Sequence, residues 1–273
     1  MADQAVFGPI LAEGKTKIIY ADPDEASLVY MVSKDQITAG DGARRSELAG
    51  KSRWSTITTA NVFRLLNDED IATHFVEQID ETTLLVKRCA MLPVEQVMRR
   101  IATGSYLKRH PEVSEGTRFD PVLVETFLKD DSRHDPQIWP EDIVNMGLAS
   151  LAEIDWMAEQ GRRVFETLER AWASIDVTLV DLKIEFGRTL DTGGTELTPG
   201  RGKPASGRGK PTPLLVADVI DNDSWRLWPG GDKNRMLDKQ VYRNLQNVTE
   251  EALQDVADRY ALVADLTGKL AGK

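Results

Sequence analysis

In the stretch Asp181-Leu182-Lys183-Ile184-Glu185-Phe186, charged residues alternate with apolar ones, so a strand sets Asp181, Lys183 and Glu185 on one face. A solvent edge needs no such row of charges. A second apolar run ends Ala217-Asp218-Val219-Ile220-Asp221, and a hairpin between the two runs brings Asp218 near Glu185. Paired carboxylates of this kind hold Mg²⁺ against nucleotide phosphates, with Lys183 neutralising substrate charge. A salt-bridged exposed face is the alternative.

Other segments have the makings of anion sites. Glu13-Gly14-Lys15-Thr16-Lys17 precedes a predicted strand, and a glycine turn with lysines presents N–H groups and ammonium charge to phosphates. It is not a Walker P-loop, because Pro9 stands where that pattern needs glycine and a strand, not a helix, follows; an ordinary charged turn is the alternative. From Lys34 to Arg45 the glycines allow close approach of backbone to ligand, while Asp41, Arg44 and Arg45 offer polar contacts, with a solvated turn as the alternative. In Arg99-Arg100-Ile101-Ala102-Thr103-Gly104-Ser105 a strand ends in a Gly-Ser turn that opens a helix, so an arginine fork and a serine hydroxyl meet as in a phosphate site, with plain surface charge as the alternative.

The elements that position these residues are read from periodicity. Residues 17–20, 27–33, 83–88 and 95–101 combine branched or aromatic side chains with partial alternation and predict strands. Trp54, Ile57, Ala60, Phe63 and Leu66 recur at helical spacing, predicting a helix over 50–67 with one face on a sheet. Ser150 and Glu153 form a capping-box pattern ahead of Leu151, Ile154, Met157, Val164, Phe165, Leu168 and Trp172, which marks a core helix. Another helix starts at Thr249 and turns Leu253, Val256, Tyr260, Val263 and Leu266 inward. Strands over 178–186 and 213–220 are joined by a segment rich in Gly, Pro and basic residues, read as a mobile, solvated loop rather than a nucleic-acid arm. The mixture predicts an α+β fold.

Composition bounds the function. A chain of 273 residues with 41% hydrophobic content can bury a substantial core as one domain or two intimate lobes. A net charge of −10 argues against general nucleic-acid or membrane-surface binding, so an anionic ligand needs a local basic site. Cys89 is the only cysteine, and His74, His110 and His134 are scattered, which leaves no disulfide and no zinc-ligand spacing. With no apolar run of spanning length, the chain reads as soluble and cytoplasmic.

Taken in order, GKTK, KDQITAGDGARR, VKRCAMLPVE, RRIATGSYLKR, ETFLKDD, DLKIEFG and ADVIDNDSWRLWPGGDKN resemble the SAICAR synthetase family over nearly the whole chain. The wording looks closest to the synthetase domain of the animal bifunctional enzyme, whose fused carboxylase domain this length is too short to include. The resemblance implies a two-lobed fold related to ATP-grasp enzymes, antiparallel sheets with flanking helices. It also implies ATP as cosubstrate with Mg²⁺, and ligation of L-aspartate to the carboxylate of CAIR, a carboxylated aminoimidazole ribotide, giving SAICAR, ADP and phosphate.

Residue by residue, the resemblance places Gly14, Lys15 and Lys17 on the ATP phosphates, Lys87 to Met91 along the adenine, and Glu185 and Asp218 on Mg²⁺. Arg99, Ser105 and Arg226 match the clamp on the ribotide phosphate, with Asp41 and Arg44 also on the substrate side. Lys129 and Asp135, with Asp181 and Lys183, match the junction of ATP, CAIR and aspartate. The division expected is a nucleotide-binding lobe at 1–92 and a lobe with metal and ribotide sites at 93–273, with the flexible linker at 188–212 longer than the family's turn. No nucleic-acid or membrane partner is expected, and a homo-oligomer stays open. A kinase would share the lysine turn and metal carboxylates, but the protein-kinase HRD and DFG signatures are absent; a noncatalytic nucleotide-binding regulator would not need a second phosphate clamp.

Overall fold

The computed structural model describes residues 6–40, 42–190 and 213–270. The chain opens on strands β1 (Ile10–Glu13), β2 (Lys17–Ala21) and β3 (Leu28–Ser33), then a short pair, β4 (Gln36–Ala39) and β5 (Arg44–Glu47). Helix α1 (Lys51–Asp68) follows, then β6 (Phe75–Gln78) and β7 (Thr83–Lys87). Next come β8 (Cys89–Ile101), α2 (Ser105–Arg109), β9 (Arg118–Leu128), α3 (Pro140–Asn145) and α4 (Leu151–Ala173). The chain continues through β10 (Val177–Thr189), β11 (Leu214–Ala217), β12 (Trp225–Pro229), α5 (Gln240–Asn244) and α6 (Glu250–Leu270).

The antiparallel order β1-β2-β3-β7-β6 forms the first sheet, and β11-β10-β8-β9, with β12 beside β10, forms the second. This is the α+β architecture that the mixture predicts, with the antiparallel sheets and flanking helices that the resemblance implies. The sheets part at Arg88, and β8 runs on from Cys89, so the expected boundary between 92 and 93 falls within that strand. One continuous core serves both: Val29, Phe63 and Leu84 belong to the same buried cluster as Phe165, Trp172 and Ile184.

Helix α1 starts where Gly50 adopts φ 84°, a left-handed turn that a side chain would strain and in which a Cβ would lie 2.8 Å from the Trp54 ring. Asp35 supplies the missing cap by accepting the Ser52 N–H at 2.8 Å. Of the predicted stripe, Ala60, Phe63 and Leu66 are buried while Trp54 and Ile57 are only partly covered, and Thr58 and Thr59 are buried too. The reason is α6, which packs along α1 so that Asn61 donates to the Thr267 hydroxyl at 3.3 Å. The C-terminal helix therefore returns to the N-terminal half of the chain.

Helix α4 has the capping box, with the Ser150 and Glu153 side chains each meeting the other's backbone. Its Ile154, Met157, Val164, Phe165, Leu168 and Trp172 are buried, whereas Leu151, expected inward, is 59% exposed because it shares the side of the helix that carries the exposed Asp155 and Arg162. At Gly161 a Cβ would come within 2.9 Å of Gln96 and 3.0 Å of Met98, so this glycine sets how closely α4 crosses β8. The joining segment begins later than expected. Arg188 and Thr189 are the last residues of β10: Arg188 pairs with Leu214 and bonds Glu153 at 2.9 Å, and the Thr189 N–H donates to Pro213 at 3.1 Å. The basic stretch 191–212 lies outside the described residues. Among the described residues no helix is long and apolar enough to cross a membrane.

Candidate active site

Between the sheets is an open cavity of about 1460 Å³, which exceeds the few hundred to ~1,000 Å³ usual for one ligand and leaves room for more than one substrate. Cationic side chains outnumber carboxylates in its lining, although the whole chain carries −10. The local basic site that the composition requires is here.

One wall is the face of β8 and β10 on which Asp181, Lys183 and Glu185 alternate, paired across to Arg99, Val97 and Glu95. Glu185 is 3% exposed and accepts from Lys129 at 2.5 Å and Lys183 at 3.2 Å, while Lys183 also reaches Glu95 at 3.0 Å. Burial opposes the charge on both residues, but it is outweighed: Lys129 and Lys183 hold the Glu185 carboxyl below its usual range, and Glu95 and Glu185 hold the Lys183 ammonium above its own. The turn after β11 places Asp218 beside this pair, as the hairpin predicts. The partner of Asp218 is Lys17, reaching across from the first sheet. Burial pushes the Lys17 ammonium down to about 8, against the pull of Glu185 and Asp221.

At one end of this face, neighbouring strands carry a row of alternating charge. Arg99 donates to Glu125 and, at 3.0 Å, to Asp181, and Asp181 also binds Arg226. Arg226 packs against the turn that the sequence marked as glycine: Gly104 has φ 60°, and a Cβ there would stand 2.6 Å from the guanidinium. Ser105 follows at the start of α2 and lines the cavity. At the first-sheet side, Lys15 spans the opening to Asp131 at 2.8 Å, and Gly14 closes the turn through its N–H to the Lys17 carbonyl at 2.9 Å. Beyond β9, Asp135 lines the cavity and accepts the Asp130 N–H at 2.7 Å, which shapes the loop that presents Lys129 and Asp131.

Most residues singled out from sequence thus meet in one place. Lys15, Lys17, Arg44, Met91, Arg99, Ser105, Lys129, Asp135, Asp181, Lys183, Glu185, Asp218 and Arg226 all line the cavity. Gly14 and Lys87 do not: Gly14 acts through the turn, and Lys87 is an exposed residue at the end of β7. Asp41 lies outside the described residues. Arg44 is engaged with α5, donating to the Leu245 carbonyl at 2.8 Å and the Tyr242 carbonyl at 3.2 Å.

A family model described as SAICAR synthetase matches residues 10–198 and 203–260. The chain belongs to the SAICAR synthetase family. The phosphoribosylaminoimidazole-succinocarboxamide synthase of Herpetosiphon aurantiacus is 57% identical to it, over 96% of this chain and 98% of the relative. The bifunctional carboxylase/synthetase of Drosophila melanogaster is 43% identical, over 98% of this chain but 59% of that longer protein, so the animal likeness holds at lower identity than the bacterial one. A solved SAICAR synthetase, Type-2, in complex with ADP superposes with a TM-score of 0.74 at 30% identity, covering 92% of this chain and 97% of that one. SAICAR synthetase membership makes the chain an ATP-dependent ligase of de novo purine biosynthesis.

Sequence reasoning missed several side chains of this SAICAR synthetase cavity. Glu95 and Lys239 line it, as does Arg243, and Glu125 fixes Arg99 from behind. Cross-strand register brings Glu95 and Glu125 in, a signal that no single segment carries. Lys239 and Arg243 were legible as basic residues beside the DKN segment, but α5 is too short to show a face by periodicity.

Proposed function

We propose that ATP, CAIR and aspartate occupy this cavity in an order set by β8, and that ligation runs through an acyl phosphate. The carrying observation is the sequence of stations along that strand. Arg99 pairs with Asp181 at one end, Glu95 with Glu185 in the middle, and Met91 with Gly187 towards the other end. At ~3.3 Å per residue, successive stations stand roughly 13 Å apart. That spacing suits a ribotide phosphate at Arg99, Ser105 and Arg226, the reacting carboxylate at the centre, and adenine along 87–91.

The donor set at the centre fits Mg²⁺. Glu185 and Asp218 offer hard carboxylate oxygens, and among the described residues no three His, Cys, Asp or Glu side chains form a metal cage. Mg²⁺ is ordinarily held by one or two carboxylates together with substrate phosphates. Bound there, it offsets charge on the phosphoryl oxygens.

The chain's own groups do the rest. Lys15 and Lys17 exchange Asp131 and Asp218 for the β- and γ-phosphates. Arg99 and Arg226 hold the ribotide phosphate, which fixes its remote carboxylate for in-line attack on the γ-phosphoryl group. A carboxylate is a poor electrophile, and the mixed anhydride formed in this way accepts the aspartate amine with loss of phosphate. Lys129 and Lys183 offset charge at the junction. Asp181 is committed to its arginines, which leaves Asp135, on the cavity wall, as the freer of the two candidates for the amine proton. The reaction suits a cytoplasmic enzyme.

The test is isotopic. CAIR labelled with ¹⁸O in its carboxylate is turned over with ATP and aspartate, with ADP release recorded in parallel. The expected result is ADP release that requires both cosubstrates, and phosphate that carries one label. Unlabelled phosphate overturns the acyl phosphate, and full ADP release without aspartate overturns the requirement for both cosubstrates.

A further inference from the structure

The segment 72–74 is where the two sheets are stitched together. The Val216 N–H donates to Ala72 at 3.2 Å and the His74 N–H to Val216 at 2.9 Å, a parallel bridge onto β11 of the second sheet. On the other side, the Lys87 N–H donates to the His74 carbonyl at 2.7 Å, and Asn67 of α1 accepts from both the N–H and the hydroxyl of Thr73. His74 is thus fixed to the first sheet, the second sheet and α1 through its own and its neighbour's backbone. Its ring is buried edge-on to Phe63, with centroids 5.5 Å apart.

From that anchor the imidazole Nε2 meets the Asp218 carbonyl oxygen at 2.9 Å. A carbonyl oxygen only accepts, so Nε2 carries the proton. Asp218 needs such a partner. It has φ 65°, a left-handed conformation that side chains adopt less readily than glycine, although aspartate tolerates it better than most, and that is held here by its surroundings. That backbone turn directs the Asp218 carboxylate to Lys17, across the gap between the sheets.

We propose that His74 is a positioning residue for the metal and nucleotide site: its Nε2–H holds the Asp218 carbonyl and thereby the strained turn that aims the Asp218 carboxylate into the cavity. The idea rests on Asp218 being a metal ligand. His74 touches neither substrate nor metal; it acts through Asp218. Since the backbone of the same residue joins the sheets, the contact between the sheets and the aim of the carboxylate meet at one residue.

The test compares His74→Leu, which removes the donor at similar volume, with His74→Gln, whose amide N–H can reach the same carbonyl. Three readouts are taken: ADP binding by calorimetry with and without Mg²⁺, the Mg²⁺ dependence of ADP release, and thermal unfolding. His74→Leu is expected to weaken Mg²⁺-dependent ADP binding and to raise the Mg²⁺ needed for half-maximal rate by roughly ten- to hundredfold, as for lost partners of metal ligands. Metal-free ADP binding should move little, and His74→Gln should recover most of the loss. A folded His74→Leu protein with unchanged Mg²⁺ dependence overturns the proposal. So does an equal loss with and without Mg²⁺ that Gln fails to rescue, which marks a packing residue. Should the Leu variant not fold, nitrogen NMR of the native imidazole decides, since a proton on Nδ1 alone is incompatible with the contact. Asp218→Asn is run alongside: if it keeps normal Mg²⁺ dependence, the metal assignment itself falls, whereas loss there with no effect at His74 sinks only the positioning role.

Discussion

The two cationic regions of the cavity are built differently. At the Arg99 end the row Glu125, Arg99, Asp181 and Arg226 is paired within one sheet, and its first three members are nearly dry: the side chains of Arg99, Glu125 and Asp181 are 3%, 4% and 6% exposed. At the Lys15 end the pair crosses between sheets and is wet, with Lys15 at 38% and Asp131 at 65% exposure. Guanidinium forks locked by buried carboxylates keep their geometry without a ligand. Exposed lysines on flexible stems hold theirs weakly, and screening leaves such pairs worth ~0–1 kcal/mol. The difference teaches that the Arg99 end, which we propose for the ribotide, is preorganised, whereas at the Lys15 end, proposed for the nucleotide, the exposed Lys15 is left to be positioned by the ligand that replaces Asp131.

The severest way to test that contrast is to remove charge where the two regions meet. Glu185→Gln and Asp218→Asn should each cost on the order of 3 kcal/mol or more in the chemical step, a fall of roughly a hundredfold or more in kcat, with the fold retained. ADP release across a Mg²⁺ titration is the measurement, and near-normal rates at limiting Mg²⁺ reject both residues as ligands.

A smaller effect separates the two ends. Arg226→Ala should lower kcat/KM for CAIR by roughly ten- to hundredfold while ATP binding by calorimetry stays put, because a charge-assisted bond to phosphate contributes about 1.5–3 kcal/mol. Asp181→Asn should act in the same direction by loosening both arginines. Weakened ATP binding with CAIR dependence intact exchanges the assignments of the two ends.

Lys15→Met sharpens the other side. Loss of its exposed pair with Asp131 should change stability by less than ~1 kcal/mol, yet the KM for ATP should rise several-fold because the ammonium is needed only once phosphate arrives. A large drop in melting temperature would mean that this end, too, is preset. The smallest effect is expected for replacing 191–211 by a short glycine turn. Thr189 and Pro213 already meet, so closure is in place and shortening costs little; lost activity in a normally folded variant makes the segment functional.

How far the sequence can be read depends on the range of the interactions. The helix that begins after Ser150 is legible because its capping box and its apolar stripe are local, and local geometry is the same wherever the helix docks. Asp181, Lys183 and Glu185 share a face for the same reason: strand alternation is a property of the chain. Leu151 was misread because an apolar residue at the margin of the stripe was counted with it, although it shares the side of Asp155 and Arg162. His74 gave no signal, since a lone histidine between an Ala-Thr pair and an apolar strand has no spacing to betray it. Lys17 could be read from its glycine turn as a candidate for a phosphate, but not as the partner of Asp218.

By itself, then, the sequence determined the elements, the chemical kinds of residue at each anion site, and through its ordered motifs the family. Tertiary structure alone decided which carboxylate faces which cation. Glu125, Arg99, Asp181 and Arg226 lie on separate strands and become a row only when register is set, and register depends on burying every strand's apolar face at once. The same holds where the lobes meet, at His74 and Asp218: a hydrogen bond between residues so distant in the chain exists only after two sheets and α1 have packed around one core.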